Sequence, residues 1–180
     1  KGNIETLKIF CEKNKIELEE IGLILNHHNS NKISSSEIRE NLKAGKIELA
    51  NKDLKRNFSV AGKVIKGDQR GRTIGIPTAN LEYPLNTITI PYGVYAVETL
   101  IEGNTYFGIV NFGIRPTFNK DKPIVEAYLF DFDKDIYDKN VEILFHKQIR
   151  QEKKFNDIKE LLNQINIDIA EAKKILKYGN

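Results

Sequence analysis

The amino-acid sequence predicts a mainly β fold: a small closed barrel of six antiparallel strands with helical segments before and after it. Three observations predict it. From Phe58 to His146 the apolar residues fall in short runs rich in Val, Ile, Thr, Tyr and Phe, the pattern of strands. No helical stretch separates those runs, and parallel strands need long crossovers, so the pairing is expected to be antiparallel. Six strands in so short a stretch leave exposed edges unless the sheet closes on itself.

The elements follow in order. IETLKIFCEK (4–13) places Ile4, Leu7, Ile9, Phe10 and Cys11 at roughly helical spacing. A short apolar run, Ile21 to Leu25, leads into the polar loop HHNSNK. Ser34-Ser35-Ser36-Glu37 carries a hydroxyl cap with Glu in capping-box register, so a helix opens here with Ile38 and Leu42 on one side. Gly45 is its natural stop, and a second short turn, Ile47 to Leu54, finishes this part.

The strands are expected at FSVAGKVI (58–65), NTITI (86–90), GVYAVETLI (93–101), TYFGIVNF (105–112), IVEAYLF (124–130) and NVEILFH (140–146). Glu102-Gly103-Asn104 reads as a tight hairpin, and residues 133–139 as the connection between the last two strands. The tail is helical. Phe155, Ile158, Leu161, Leu162 and Ile165 form an apolar stripe, and Asp168-Ile-Ala-Glu171 resembles a fresh cap for a second helix with Ala172, Ile175 and Leu176.

Composition narrows the function. Of 180 residues, 40% are hydrophobic and 29% are charged with mixed sign, which is the make-up of a folded domain with a core. Lys and Arg exceed Asp and Glu by only three, 28 against 25. That suits a polyanionic small molecule better than a nucleic acid, and no nucleic-acid partner is expected. Cys11, alone, forms no intrachain disulfide and is expected to pack on a helix face. His27, His28 and His146 are too scattered for a metal cluster. No apolar run reaches membrane-span length and Lys1-Gly2-Asn3 does not open a signal peptide, so a cytoplasmic protein without a membrane role is expected. The chain has no methionine and begins with Lys, which suggests a piece of a longer protein.

The stretch GDQRGRTIGIPTANL (67–81) concentrates the unusual residues. It is neither a Walker A loop nor GxGxxG. Gly67, Gly71 and Gly75 let the backbone approach a bulky anion, Arg70 and Arg72 bring positive charge, and Pro77 fixes the direction of the chain. Thr78 and Asn80 lie two apart, so in an extended segment they face the same way. A hydroxyl and an amide oxygen on one face suit Mg²⁺, which prefers hard oxygen ligands. A plain Gly/Pro turn before a strand accounts for the same residues.

Glu126 sits within an apolar run, where a carboxylate is costly unless it faces solvent or a ligand. It is either the outward position of an alternating strand or a general base. Asp131, Asp133, Asp135 and Glu142 fall at EF-hand spacing, but Ile136 stands where that loop requires glycine, so an acidic hairpin is the better reading. Arg150 and Phe155 could flank a planar ligand, or belong to a solvated loop.

As a set these residues resemble the riboflavin kinase family. GDQRGRTIGIPTANL, PYGVYAV (91–97), NFGIRPTF (111–118), VEAYLFDFDKDIY (125–137) and IRQEKKF (149–155) occur in its order and spacing, over about residues 57–178. The PTAN element with its flanking glycines is the most specific of them. The particular likeness is to the kinase module at the C-terminal end of bacterial bifunctional riboflavin kinase/FMN adenylyltransferases. KISSSEIRENLKAGKIELA (32–50) is similar to the end of that family's adenylyltransferase domain, with Ser36 where Thr is usual. Asp138 stands where Gly is usual, and LKRNF (54–58) replaces a Gly-Arg-Pro-Tyr linker.

The resemblance implies a Greek-key barrel with C-terminal helices (57–180), preceded by a short α/β remnant of a nucleotidyltransferase domain (1–56). It implies ATP-dependent phosphorylation of the riboflavin 5′-hydroxyl to FMN, with Mg²⁺ and with riboflavin, FMN, ATP and ADP as ligands. Thr78 and Asn80 would hold the metal, Glu126 would be the base, and Gly67, Gly71, Arg72, Gly75, Pro77 and Thr78 would contact the nucleotide. Arg115, Thr117, Arg150 and Phe155 would contact the flavin, while Ser34, Ser35 and Arg39 would be left from the adenylyltransferase motif. The longer protein is expected also to adenylylate FMN, whereas this chain, without a His-x-Gly-His phosphate motif, is not. The competing reading is a barrel that binds a flavin or nucleotide without chemistry.

Overall fold

The structure is a computed structural model that describes residues 3–22, 33–67, 71, 74–84, 86–114 and 123–179. The chain divides into two compact units, residues 1–33 and 34–180. The apolar run Ile21 to Leu25, His27, His28, Arg70, Arg72, Arg115 and Thr117 fall wholly or partly outside the described residues.

In the first unit, helix α1 spans Ile4–Lys13. Asn3 caps it: its Oδ1 accepts from Thr6 N at 2.9 Å and from the Thr6 hydroxyl at 2.7 Å, which satisfies one of the free amides of the first turn. Cys11 is its buried residue, as its helix-face position suggests.

The second unit opens with α2 (Ser35–Lys43) and α3 (Ile47–Leu54). Ser34 is the cap expected of it, accepting from Glu37 N at 3.1 Å. Leu42, Ile47 and Ala50 join the core of the barrel. Asn51 ties α3 to two barrel strands at once. Its Oδ1 accepts from Phe58 N at 2.7 Å, and its Nδ2 donates to the Phe145 carbonyl at 2.8 Å.

Six strands follow: β1 (Phe58–Ile65), β2 (Ala79–Glu82), β3 (Gly93–Ile101), β4 (Asn104–Ile114), β5 (Pro123–Leu129) and β6 (Asn140–Gln151). They close in the order β1-β2-β5-β4-β3-β6, and each neighbouring pair is antiparallel. Placing β2 beside β5 rather than β3 gives the Greek-key connection. The β3–β4 hairpin turns through Glu102 and Gly103, whose φ values of 49° and 80° are those of a type I′ turn. Asp138 adopts a φ of 65° and pairs with Lys63 at 2.7 Å.

Alternation fills the barrel. Tyr95, Val97, Val110, Phe112, Val125, Ile143 and Phe145 are fully buried and interlock around the axis. Tyr95 meets Phe145 edge-on with centroids 5.4 Å apart, a favoured aromatic geometry. Burial pushes the Tyr83 and Tyr95 phenols well above their usual range; for Tyr95 the neighbouring Tyr83 adds to it. Their hydroxyls donate to the Ile88 and Pro91 carbonyls.

Two sequence expectations are corrected. NTITI is not a strand, because it lies between Pro84 and Pro91. Thr87 N closes a turn on the Pro84 carbonyl at 3.1 Å, and Ile90, 1% exposed, goes into the core without pairing. The sixth strand is instead β2, which begins within the PTAN element and runs on through Leu81 and Glu82. The tail is one helix, α4 (Ile158–Ile175), and not two. Its cap is Asp157, which accepts from Glu160 N at 2.7 Å. Asp168 lies within the helix, 1% exposed and paired to Arg150.

The α4 helix covers the outer surface of the barrel, not its interior. Ala172 and Leu176 pack with Val94, Ala96, Ile109 and Phe130 in a second apolar cluster. This is why β3 is buried on both faces, while β4 and β5 retain a partly open outer face.

Candidate active site

The register of the sheet assembles the site. Val125, Ala127 and Leu129 of β5 point into the barrel, so Glu126 and Tyr128 point outward. Glu126 stands opposite Asn80 of β2 on one side and Asn111 of β4 on the other. Directly opposed residues share a face with Cβ atoms about 4.5–5.5 Å apart. One carboxylate and two carboxamides therefore form a row across three strands.

Glu126 and Asn111 of this row line a cavity of about 600 Å³ between the outer face of the sheet, the start of α4 and the residues Gly71, Ile74, Ile76 and Thr78, while Asn80 lies beside it and lines neither this cavity nor the next. That volume is in the range of small-molecule sites, roughly 300–1,000 Å³. Its walls are largely apolar, including Ile74, Ile76, Val94, Ile109, Tyr128, Phe155, Leu161 and Ile165. The polar groups are Thr78, Asn111, Glu126, Arg150, Glu152, Lys153, Lys154 and Asp168. Lys153 is partly engaged by Glu160 at 3.1 Å, and the amide of Asn156 together with that lysine holds the Glu160 carboxyl below its usual range.

A second cavity, of about 350 Å³, lies on the other side of Thr78. Val64, Ala127 and Leu129 line it together with Pro77, Ala79 and the segment Phe132–Tyr137. Thr78 borders both. Ligands in the two cavities would meet at this residue, an arrangement suited to passing a group from one to the other.

Gly67 and Gly71 act by closeness. A Cβ on Gly67 would lie 2.3 Å from Asn80 Nδ2, so the chain there is pressed onto the Asn80 carboxamide, whose residue is 4% exposed. A Cβ on Gly71 would lie 2.2 Å from the Ile76 carbonyl. That glycine closes the turn in which Ile76 N donates to the Gly71 carbonyl at 2.8 Å.

Among the residues expected from sequence, the structure gathers Gly71, Thr78, Glu126, Arg150 and Phe155 around the first cavity and Pro77 and Thr78 at the second. Gly67 covers Asn80, and Gly75 lies in the exposed turn before Pro77 with a φ of 78°. Arg72, Arg115 and Thr117 are outside the described residues. Ser34, Ser35 and Arg39 are on or beside α2 and border neither cavity.

Asn111, Tyr128, Asp168 and Phe132–Tyr137 also belong to these cavities and were missed. Asp168 had a signal: it is a charge at a position of the α4 apolar stripe, between Ile165 and Ala172. The segment DFDKDIY had one as well, but its acidic spacing drew attention to cation binding. Among the described residues no group of three or more His, Cys, Asp or Glu is placed to hold a metal ion.

The family profile named Flavokinase, riboflavin kinase, matches residues 54–176. A bifunctional riboflavin kinase/FMN adenylyltransferase of Bacillus subtilis strain 168 is 47% identical over 144 residues, covering 78% of this chain and 46% of that protein. One from Buchnera aphidicola subsp. Schizaphis graminum is 40% identical over 176 residues, covering 96% of this chain and 56% of the relative. The chain thus spans about half the length of the curated relatives it matches. A crystal structure described as a macrolide-efflux protein from Streptococcus pneumoniae superposes with a TM-score of 0.82 at 32% identity, over 94% of this chain and 54% of that one. Among the described residues no helix is long and apolar enough to cross a membrane.

Proposed function

The chain belongs to the riboflavin kinase family, and on that footing we propose that it transfers the γ-phosphoryl group of ATP to the 5′-hydroxyl of riboflavin, giving FMN and ADP. The observation that carries the reading is the position of Thr78 between two cavities, with Glu126 at the edge of the larger. The larger, walled by Phe155, Tyr128 and aliphatic side chains, suits the tricyclic flavin. The smaller, with Pro77, Phe132 and Tyr137, suits a nucleoside whose phosphates reach toward Thr78.

In phosphoryl transfer the protein mainly positions the reactants and neutralises charge, since the transition state is loose. Glu126 accepts the proton of the ribityl hydroxyl as the new O–P bond forms and the bond to the departing ADP breaks. General-base help of this kind contributes roughly 10²–10⁴ in rate. Gly67, Gly71 and Gly75 let the backbone of this stretch come close to the phosphates, a use of glycine in anion binding. Arg72, supplied by the same stretch, adds positive charge.

Thr78 and Asn80 would hold Mg²⁺. Their hydroxyl and carboxamide oxygens are neutral hard donors, suited to an ion that takes its remaining ligands from phosphate and water. When bound, that ion neutralises charge on the phosphate oxygens. Gly67 limits the freedom of the Asn80 carboxamide in advance.

Residues 57–180 are read as the kinase domain and 1–56 as the end of an adenylyltransferase domain, in a cytoplasmic protein. The family match over 54–176 supports the first part. The test is direct: the purified chain is incubated with ATP, Mg²⁺ and riboflavin, and the flavins are separated by chromatography. FMN without FAD is expected. Riboflavin bound but unconverted would leave a binding module in place of a kinase.

A further inference from the structure

We propose that Asp168 is a positioning residue for flavin recognition: it fixes the guanidinium of Arg150 as a flat wall of the larger cavity, beside Phe155. The inference rests on the kinase reading above. Asp168 is 1% exposed in the middle of the α4 apolar stripe, a costly place for a carboxylate unless it is paired and hydrogen-bonded. It is both. Arg150 Nε lies 3.0 Å from each carboxylate oxygen, Arg150 Nη2 lies 2.9 Å from Oδ2, and Gln164 Nε2 donates to Oδ1 at 3.0 Å.

The third guanidinium nitrogen is also engaged, with Nη1 donating to the Gln151 carbonyl at 3.0 Å. Contacts at all three nitrogens set the plane of the group, where a single contact would leave it free to turn. Its carbon lies 5.6 Å from the Phe155 ring centroid, within cation–π range. The charge of Arg150 is balanced by Asp168, so the cavity meets a flat face and not an anion site. An uncharged planar ring such as the flavin fits that wall.

An ion pair that merely clamps α4 to β6 would affect stability alone, so the test reads affinity. Riboflavin binding is measured by quenching of flavin fluorescence without ATP, alongside steady-state kinetics. Asp168→Asn is expected to raise the riboflavin Kd and KM about tenfold, with kcat and the KM for ATP within about twofold. Lumiflavin, which has the ring but no ribityl chain, should weaken by the same factor. Arg150→Lys/Asp168→Asn should bind riboflavin within about twofold of Arg150→Lys alone, because Asp168 acts through the guanidinium.

Asp168→Asn binding like the wild type overturns the inference, as does a further tenfold loss in the double variant. Should Asp168→Asn not fold, Asp168→Glu keeps the charge pair while moving the carboxylate by one methylene. A several-fold weaker riboflavin Kd supports the proposal there, and an unchanged one defeats it. A wild-type chain that neither binds riboflavin nor makes FMN sinks the kinase reading and this inference together. Wild-type turnover with unaltered binding by the variants sinks the inference alone.

Discussion

Asn80 and Glu126 stand directly opposite each other on β2 and β5, their side chains on the outer face of the barrel. The metal-binding candidate and the base candidate are therefore one cross-strand pair, at a spacing fixed by the sheet and not by a loop. Division of labour within that pair is measurable.

Glu126→Gln keeps the size and outward position of the side chain and removes its capacity to accept a proton at neutral pH. The expected outcome is a fall in kcat of about 10²–10⁴ with riboflavin affinity and melting temperature nearly unchanged. Stopped assays of FMN formation with fluorescence titration check it, and near-normal turnover would take Glu126 out of the mechanism.

Asn80→Ala removes one oxygen donor. The Mg²⁺ concentration for half-maximal rate should rise about tenfold, the scale of a lost ligand or its support. Gly67→Ala should give the same phenotype in weaker form, since a Cβ there would come 2.3 Å from Asn80 Nδ2 and displace the carboxamide. A magnesium titration unchanged in both variants would remove Asn80 from the metal site.

Phe132→Ala opens the smaller cavity on one side. The lost apolar contact, about 1.5–3 kcal/mol when fully buried, corresponds to a rise in the KM for ATP of about tenfold or more. The KM for riboflavin should not follow. Equal effects on both substrates would mean that the two cavities do not divide them.

The alkaline limit of stability follows from Tyr83 and Tyr95, whose phenols burial holds above their ordinary value, about 10. The unfolded chain loses these protons first, so the stabilisation is complete below pH of about 10 and declines as pH rises beyond it. Urea midpoints should be level near neutrality and fall at higher pH. Tyr95→Phe costs a hydrogen bond, about 1 kcal/mol near neutrality, but should make the alkaline decline shallower. An equal or steeper decline would contradict the assignment.

Much of this architecture is legible in short stretches of sequence. Strands β1 and β3 to β6 announce themselves because each alternates over several residues and ends at a turn. The Ser34 cap and the Glu102-Gly103 hairpin depend only on neighbouring residues. β2 escapes the same reading since ANLE is four residues long, and its strand character comes from partners on β1 and β5. NTITI misleads in the opposite way: its β-branched alternation is real, yet two prolines bracket it and its isoleucine is used to fill the core. Asp168-Ile-Ala-Glu171 satisfies the local rule for a helix cap, and a distant arginine overrides it.

The sequence by itself therefore determined the β class, the expectation of a closed barrel and the candidate site residues, Thr78, Asn80, Glu126, Arg150 and Phe155 among them. Periodicity, capping and turn chemistry act over a few residues and need no partner to be recognised. Only the tertiary structure decided that Asn80, Glu126 and Asn111 form one row, that Thr78 separates two cavities, and that Asp168 holds Arg150. Those relations depend on strand register, barrel closure and the docking of α4, which are set by packing between segments far apart in the chain.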